Sequence, residues 1–499
     1  MSLSRIALVL LLVLSSACGA GDAVQCNTDQ DCAHVDNGTT GRAICSQGMC
    51  IDSGLGPKGC FVGTPVTTFD YLNACTRAVT TVFDNCERLG FCGQDTRLPD
   101  PVSPPAIATS VVGPVQAAPP SVACADAGPN VIYMTGDPDF VPLLRKVTPL
   151  VATSTPPYRA VFVPSSACAA VDAAFDLASS VIKDVPATAT KPASYAFYFD
   201  DADRQVFCTL GPEGKTVDVG VSNLLSTTCK PDDVAGSTVT HYLGPVASYA
   251  FVVPVTSRET AISVEAAHIV FGLGGQVPAG LSATPWTDPA YYFILAGHAS
   301  TVLAAELIHV PRMAFWGDYQ PSLDYVRDRI LVTAAPDRSI AILPIDYADN
   351  SRGNLRTLFL QSEGQLAGVL PDSNLVSMDK ANVRDGHYPF WGYLHFYTAN
   401  VQGAPSPAAS AFVTRFAVPQ LDRDLLDAII DSSLIPVCAM KVARDSDIGP
   451  LQRPPSDSPC GCYFENRTMA RSSCSPCMTP EQCPATAPSC NYGFCEVPL

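Results

Sequence analysis

At 499 residues the chain has room for one to four domains, and its 47% of apolar residues can fill a sizeable core. Only 15% of residues are charged, against about 25% in ordinary globular proteins. A net charge of −17 and a pI near 4.7 exclude nucleic-acid binding, which needs a basic face, and electrostatic docking on anionic lipid.

The chain opens with Arg5, an apolar run over residues 6–14, and then Ser15-Ser16-Ala17-Cys18. A charged start, an apolar stretch and small residues before a cut describe a secretory signal over residues 1–17. The Cys directly after the small residues resembles a bacterial lipoprotein signal, with Ser15 where that family has Leu and Leu14 one place earlier. The resemblance implies lipid attachment at Cys18 and membrane association through that lipid. With Gly19 next rather than Asp, it implies the outer membrane, on its periplasmic or surface face. A plain signal peptide cut elsewhere is the alternative. No other apolar run reaches 18 residues, so a second membrane span is not expected.

Cysteine usage divides the rest. There are 21, so lipidation of Cys18 leaves an even number to pair, as in an exported disulfide scaffold. Eight fall between Cys26 and Cys92, four at Cys124, Cys168, Cys208 and Cys229, and eight between Cys438 and Cys495. The expected layout is a Cys-rich module (18–59), a Cys-stapled helical segment with a Pro-rich linker (60–128), an α/β domain (129–436) and a C-terminal Cys-rich module (437–499). The ends repeat one another: Cys26, Cys32, Cys45, Cys50 and Cys477, Cys483, Cys490, Cys495 both follow C-x5-C, a variable loop and C-x4-C. They resemble short disulfide repeats of secreted and lipid-anchored bacterial surface proteins. Zinc at Cys460, Cys462, Cys474 and Cys477 is the competing reading, disfavoured because exported thiols oxidise and no His lies among them.

From about residue 129 short apolar strands alternate with helical periods. The run VIYMTGDPDFVPLL (131–144) reads as a strand that breaks at Thr135-Gly136 and restarts as a helix at Asp139. Such a turn presents free backbone N–H groups at a helix start. Strands follow at 158–164, 217–221, 247–255, 291–295 and 340–344, with a hairpin over 195–199 and 205–210. Helical periods cover 169–181 and the stretch from Ser263, where Ser263 can cap and Glu265 complements the dipole. Alternation of this kind implies mostly parallel sheets. The aromatic run 388–397 reads as a core strand in preference to a sugar platform. Cys208 and Cys229 flank the loop holding Ser222 and Asn223 and would staple it.

The order of these pieces resembles the type 2 periplasmic solute-binding proteins, nearest the phosphate-binding branch. The resemblance rests on Thr135 to Phe140 (TGDPDF), Gly220-Val221-Ser222-Asn223, Phe271-Gly272 with Trp286, Ala299-Ser300-Thr301, Ile340-Ala341-Ile342-Leu343 and Gly386-His387-Tyr388-Pro389. It implies two α/β lobes joined by two crossovers, with a ligand held in the cleft by N–H and hydroxyl donors. The implied ligand contacts are Thr135, Gly136, Asp137, Asp139, Phe140, Ser222, Asn223, His298, Ser300 and Thr301. Four positions depart from the pattern: Asp139 replaces Thr, Asn223 replaces Asp, Leu295 replaces Arg, and Asp137 is an added acid. A carboxylate at a helix start would occupy or repel an anion's seat, and losing the Arg removes the strongest oxyanion partner.

No G-x-S-x-G elbow, H-E-x-x-H pair or G-x-x-x-x-G-K-[ST] loop occurs, so no enzyme, cofactor or metal is expected. His268, His298 and His309 are far apart in sequence, and Asp200, Asp201 and Asp203 read as a solvated hairpin turn before a Ca²⁺ loop. The expected function is capture of a small polar solute in an interlobe cleft. The alternative is a structural or adhesive surface lipoprotein that has lost its ligand and meets envelope proteins through its Cys-rich ends.

Overall fold

The computed structural model describes residues 42–46, 49–55, 59–90, 98–104, 120–176, 179–186, 193–230, 239–401, 404–454, 458–469 and 474–498. The expected signal segment, Cys18, Cys26 and Cys32 lie outside them. The chain divides into two compact units. In the first, Arg42–Ser46 and Met49–Leu55 form an antiparallel hairpin with Cys45 opposite Cys50. The C-terminal repeat has the same backbone register: Ser489–Asn491 pairs with Phe494–Glu496, and Cys490 stands opposite Cys495.

The second unit is a mixed α/β body built on ten strands: β1 (Val131–Gly136), β2 (Arg159–Pro164), β3 (Ala196–Phe199), β4 (Gln205–Cys208), β5 (Val219–Ser222), β6 (Val239–Pro254), β7 (Tyr292–Leu295), β8 (Asp318–Gln320), β9 (Ile340–Pro344) and β10 (Trp391–Val401). Its order is β8-β7-β9-β6-β10-β5-β1-β2-β3-β4, and two short strands on β6 and β10 bring the sheet to twelve. The helices used below are α1 (Val141–Ala152), α2 (Ala167–Phe175), α3 (Val264–Leu273), α4 (Ala299–Leu307) and α5 (Ile345–Asn350).

The sheet is mixed rather than mostly parallel. β1 runs parallel to β2 and β5, and β7 parallel to β8 and β9. Between these halves the long strands β6 and β10 pair antiparallel with each other and with their outer neighbours. Parallel strands need a crossover helix between them. β6 and β10 instead serve both halves: β6 gives its first part to β10 and Tyr249 to Val252 to β9. Its pairing with β10 slips between Leu243 and Val246, where Gly244-Pro245 interrupts the ladder because Pro has no N–H to give. The α/β architecture is therefore present as two partly parallel halves of one continuous sheet, with β6 and β10 as the adjacent strands that join them.

Local sequence explains several of these elements. Leu143, Leu144, Val147 and Val151 bury one face of α1. Phe140, just ahead of it, sits among Phe162, Phe396 and Phe412. Ser263 caps α3 by accepting the Ala266 N–H at 3.0 Å, and Gly274 ends it in the left-handed conformation at φ 61°. The aromatic run 388–397 is interior: Tyr388, Phe390, Trp391 and Tyr397 are buried.

The disulfides correct one expectation. Cys208 pairs with Cys124 and Cys229 with Cys168, so no Cys208–Cys229 staple closes the loop of Ser222 and Asn223. Cys208 ends β4 beside the turn Cys124–Ala127, held by the Cys124 N–H on Thr209 O at 2.9 Å, while Cys229 ends a short helix lying against α2. At the C-terminus Cys438 pairs with Cys460, Cys462 with Cys474, Cys477 with Cys490 and Cys483 with Cys495. These sulfurs are oxidised, which removes the zinc reading for that segment. The segment lies in the same compact unit as the α/β body, tied by Tyr463 O–H on Asp427 at 2.6 Å and Tyr492 O–H on Leu421 O at 2.8 Å. Among the described residues no helix is long and apolar enough to cross a membrane.

Candidate functional site

Three loops at the C-terminal ends of β1, β5 and β7 converge. β1 and β5 belong to one half of the sheet and β7 to the other, so their meeting point lies between the halves. This is the place where open α/β sheets hold ligands. The first loop carries Asp137 and Asp139, the second Asn223 and the third His298, which caps α4.

His298 is the hub. Its Nε2 lies 2.8 Å from Asp137 Oδ1 and 3.0 Å from Asp139 Oδ1. Its Nδ1 lies 2.8 Å from Ser300 Oγ and accepts the Ser300 N–H at 3.1 Å. Asp139 Oδ2 accepts from Asn223 Nδ2 at 3.0 Å, and the same Nδ2 lies 2.7 Å from the hydroxyl of Tyr249. That hydroxyl, from the middle of β6, also bonds Asp139. Asp137 accepts the Asp139 N–H at 3.2 Å and the Ala299 N–H, at the start of α4, at 3.4 Å. Asp137, Asn223 and Ser300 are 0% exposed, His298 3% and Asp139 9%, so bulk water is excluded.

Burial pushes the Asp139 carboxyl up; His298 pulls it back and Asp137 adds to the rise. Burial alone would lower the His298 pKa, but Asp137 and Asp139 outweigh it and hold it well above the ordinary value. The Ser300 N–H aimed at Nδ1 favours a ring protonated at Nε2 only, whereas the two carboxylates favour the imidazolium. Ser300 Oγ accommodates either, as donor or as acceptor. Asp346, at the start of α5 and partly exposed, is pushed to about 7 by burial and then by the charge of Asp139.

The other expected contacts are near this cluster but turned inward. Thr135 Oγ1 donates to Val163 O at 2.9 Å and Ser222 Oγ to Leu224 O at 2.9 Å. Thr301 Oγ1 donates to Leu295 O at 2.8 Å, and Phe140 is packed in the core. Gly136 is the last residue of β1, not a turn: a Cβ there would lie 2.2 Å from Val221 O. Tyr249 and Asp346 were not singled out from sequence, because neither lies in a loop-like motif. The three histidines stay apart: His268 bonds Ile308 O and Pro99 O, and His309 faces Glu363. The DDADR turn is bound by arginines, Asp200 to Arg204, Asp201 to Arg159 and Asp203 to Arg145.

No protein-family model matches the chain, and no curated protein matches it in sequence. Among solved structures it is similar to an ABC-type phosphate transport receptor from Vibrio cholerae, with 10% identity over 61% of this chain and 99% of that one and a TM-score of 0.39. PstS from Borrelia burgdorferi gives 12% identity over 62% and 98%, with a TM-score of 0.35. The Corynebacterium glutamicum OxyR C206 mutant gives 11% over 61% and 66%, with a TM-score of 0.34.

Proposed function

We propose that this chain is a non-enzymatic, exported binding protein, lipid-anchored at Cys18, whose ligand seat is the cluster of Asp137, Asp139, Asn223 and His298 and whose ligand is cationic. The observation that supports this is the convergence of four polar side chains, from three loops and both halves of the sheet, on one buried point. Buried polar groups are costly to assemble unless they are paired or used. An oxyanion is disfavoured because carboxylates already fill the place where its oxygens would sit. The Ala299 N–H at the start of α4, a natural anion donor, is directed at Asp137.

A second reading draws on the same contacts. Both Asp139 oxygens, the Asn223 amide nitrogen and both His298 nitrogens are already engaged with one another. A seat that satisfies itself suits a structural or adhesive surface protein that has given up its ligand.

A thermal-shift screen of the oxidised protein separates the two. The cationic-ligand reading expects metal ions or organic cations to raise the melting temperature, and phosphate and sulfate to leave it unchanged. A ligand at 100 times its Kd adds about 2.7 kcal/mol, which such a screen detects. A rise with phosphate overturns the charge assignment. A flat screen on folded protein favours the structural reading and directs attention to envelope partners of the Cys-rich ends.

A further inference from the structure

We infer that Asp137, Asp139 and His298 form a site for one divalent transition-metal ion, Zn²⁺ or Mn²⁺, with His298 Nε2 and one oxygen from each carboxylate as ligands. This rests on the proposed ligand seat and names what occupies it.

The spacing fits. The three ligand atoms lie within 4.8 Å of one another, with Nε2 at 2.8 and 3.0 Å from the two carboxylate oxygens. Neighbouring ligands of an octahedral ion bound at about 2.1 Å are about 3.0 Å apart, and those of a tetrahedral ion about 3.4 Å. The two imidazole-to-carboxylate spacings therefore match octahedral neighbours to within a few tenths of an ångström and fall somewhat short of tetrahedral ones. One imidazole nitrogen with two carboxylate oxygens suits Zn²⁺ and Mn²⁺ better than Ca²⁺ or Mg²⁺, which take oxygen alone.

The outer contacts hold each ligand by its other end. Ser300 Oγ is 2.8 Å from His298 Nδ1, so a ring bound through Nε2 carries its proton on Nδ1 and donates it there, giving up the bond that Nδ1 otherwise accepts from the Ser300 N–H. Asn223 Nδ2 and the Tyr249 hydroxyl hold Asp139, and the Ala299 N–H holds Asp137 Oδ2. Charge points the same way. Two buried carboxylates against one imidazolium leave a negative charge uncompensated, whereas a dication with a neutral ring leaves none. An independent sign is Asn223 Oδ1, which is buried and lacks a hydrogen-bond partner on the amide that contacts Asp139. It is a neutral oxygen left unpaired on the residue whose other amide atom faces Asp139. Among the described residues the other grouping of metal-type ligands, Cys477, Cys483 and Cys495, is consumed in disulfides.

The test uses the full chain, produced oxidised, stripped with chelator and titrated with ZnCl₂, MnCl₂ and CoCl₂ alone. The expected result is uptake of one equivalent, a rise in melting temperature and a Co²⁺ spectrum without thiolate charge-transfer bands. His298→Gln and Asp139→Asn should each weaken uptake by more than the roughly 10–100-fold that outer-contact changes cost. If those variants fail to fold, nitrogen and oxygen ligation of the wild-type metal by X-ray absorption decides. No uptake by folded wild-type protein overturns the metal assignment, as does thiolate ligation or uptake indifferent to His298→Gln. If metals fail but an organic cation raises the melting temperature, the binding-seat reading survives without the metal; if nothing binds, both fall.

Discussion

Gly136 ends β1 beside Val221, and an added Cβ would meet Val221 O at 2.2 Å and Val221 Cβ at 2.8 Å. The residue is needed for close approach of two strands, not for a left-handed turn. Gly136→Ala should push β1 from β5, cost about 1–3 kcal/mol and displace Asp137, which follows directly. A lowered denaturant midpoint with an unchanged m-value checks the stability part; an unchanged midpoint would show that the strands give way. At this scale the sequence was half legible. Asp137 and Asp139 stand out as acids at a helix start, and Asn223 as an amide in a loop. Their meeting with His298 was not legible, because it spans 159 positions and is set by strand order rather than local spacing. The hydroxyls of Ser222, Ser300 and Thr301 read as ligand donors, yet loop residues of this kind also serve their own backbone, as Ser222 and Thr301 do here, while Ser300 Oγ faces His298 Nδ1.

Strands and helices were readable where composition and period agree: the apolar strand of residues 159–164, the capped helix after Ser263, the hairpin around DDADR. Strand direction was not, because the antiparallel pair β6–β10 joins segments about 150 residues apart and nothing in either strand names its partner. Cysteine pairing failed for the same reason: adjacency in sequence suggests Cys208 with Cys229, while their partners lie in the turn Cys124–Ala127 and at the start of α2. The Cys168–Cys229 bridge matters for the second loop. It fastens the helix that follows Asn223 to the first turn of α2, across a separation of 61 residues. Replacing both cysteines with Ala should cost up to about 4 kcal/mol on the chain-entropy account of a loop this long. Equilibrium unfolding of the double variant against wild type checks this. A loss near zero would mean that packing alone holds the helix against α2.

For the whole molecule the acidity is distributed against a core that also buries histidines. His395 sits in β10 among Tyr393, Tyr397 and His241, with its Nδ1 2.8 Å from His241 Nε2. Burial, and then His241, holds its pKa well below the ordinary value; burial lowers His241 and His387 as well. Below about pH 6.5 the unfolded chain protonates these rings while the folded chain resists. Their contribution is therefore fully present above that pH and is lost as pH falls toward the folded pKa. Buried carboxylates such as Asp139, Asp346 and Asp372 act in the opposite sense, since the folded chain holds their protons more tightly. The net slope of the wild type mixes both, so the informative quantity is a difference. His395→Phe keeps a ring in the aromatic stack and removes one titrating group. Relative to wild type it should gain stability as pH drops from 7 to 5, by up to about 1.4 kcal/mol per pH unit for one proton. Denaturant unfolding of both proteins at each pH measures this with the carboxylate contributions cancelling. A difference that stays flat across the range would mean that His395 takes up its proton as readily in the folded sheet as in the unfolded chain.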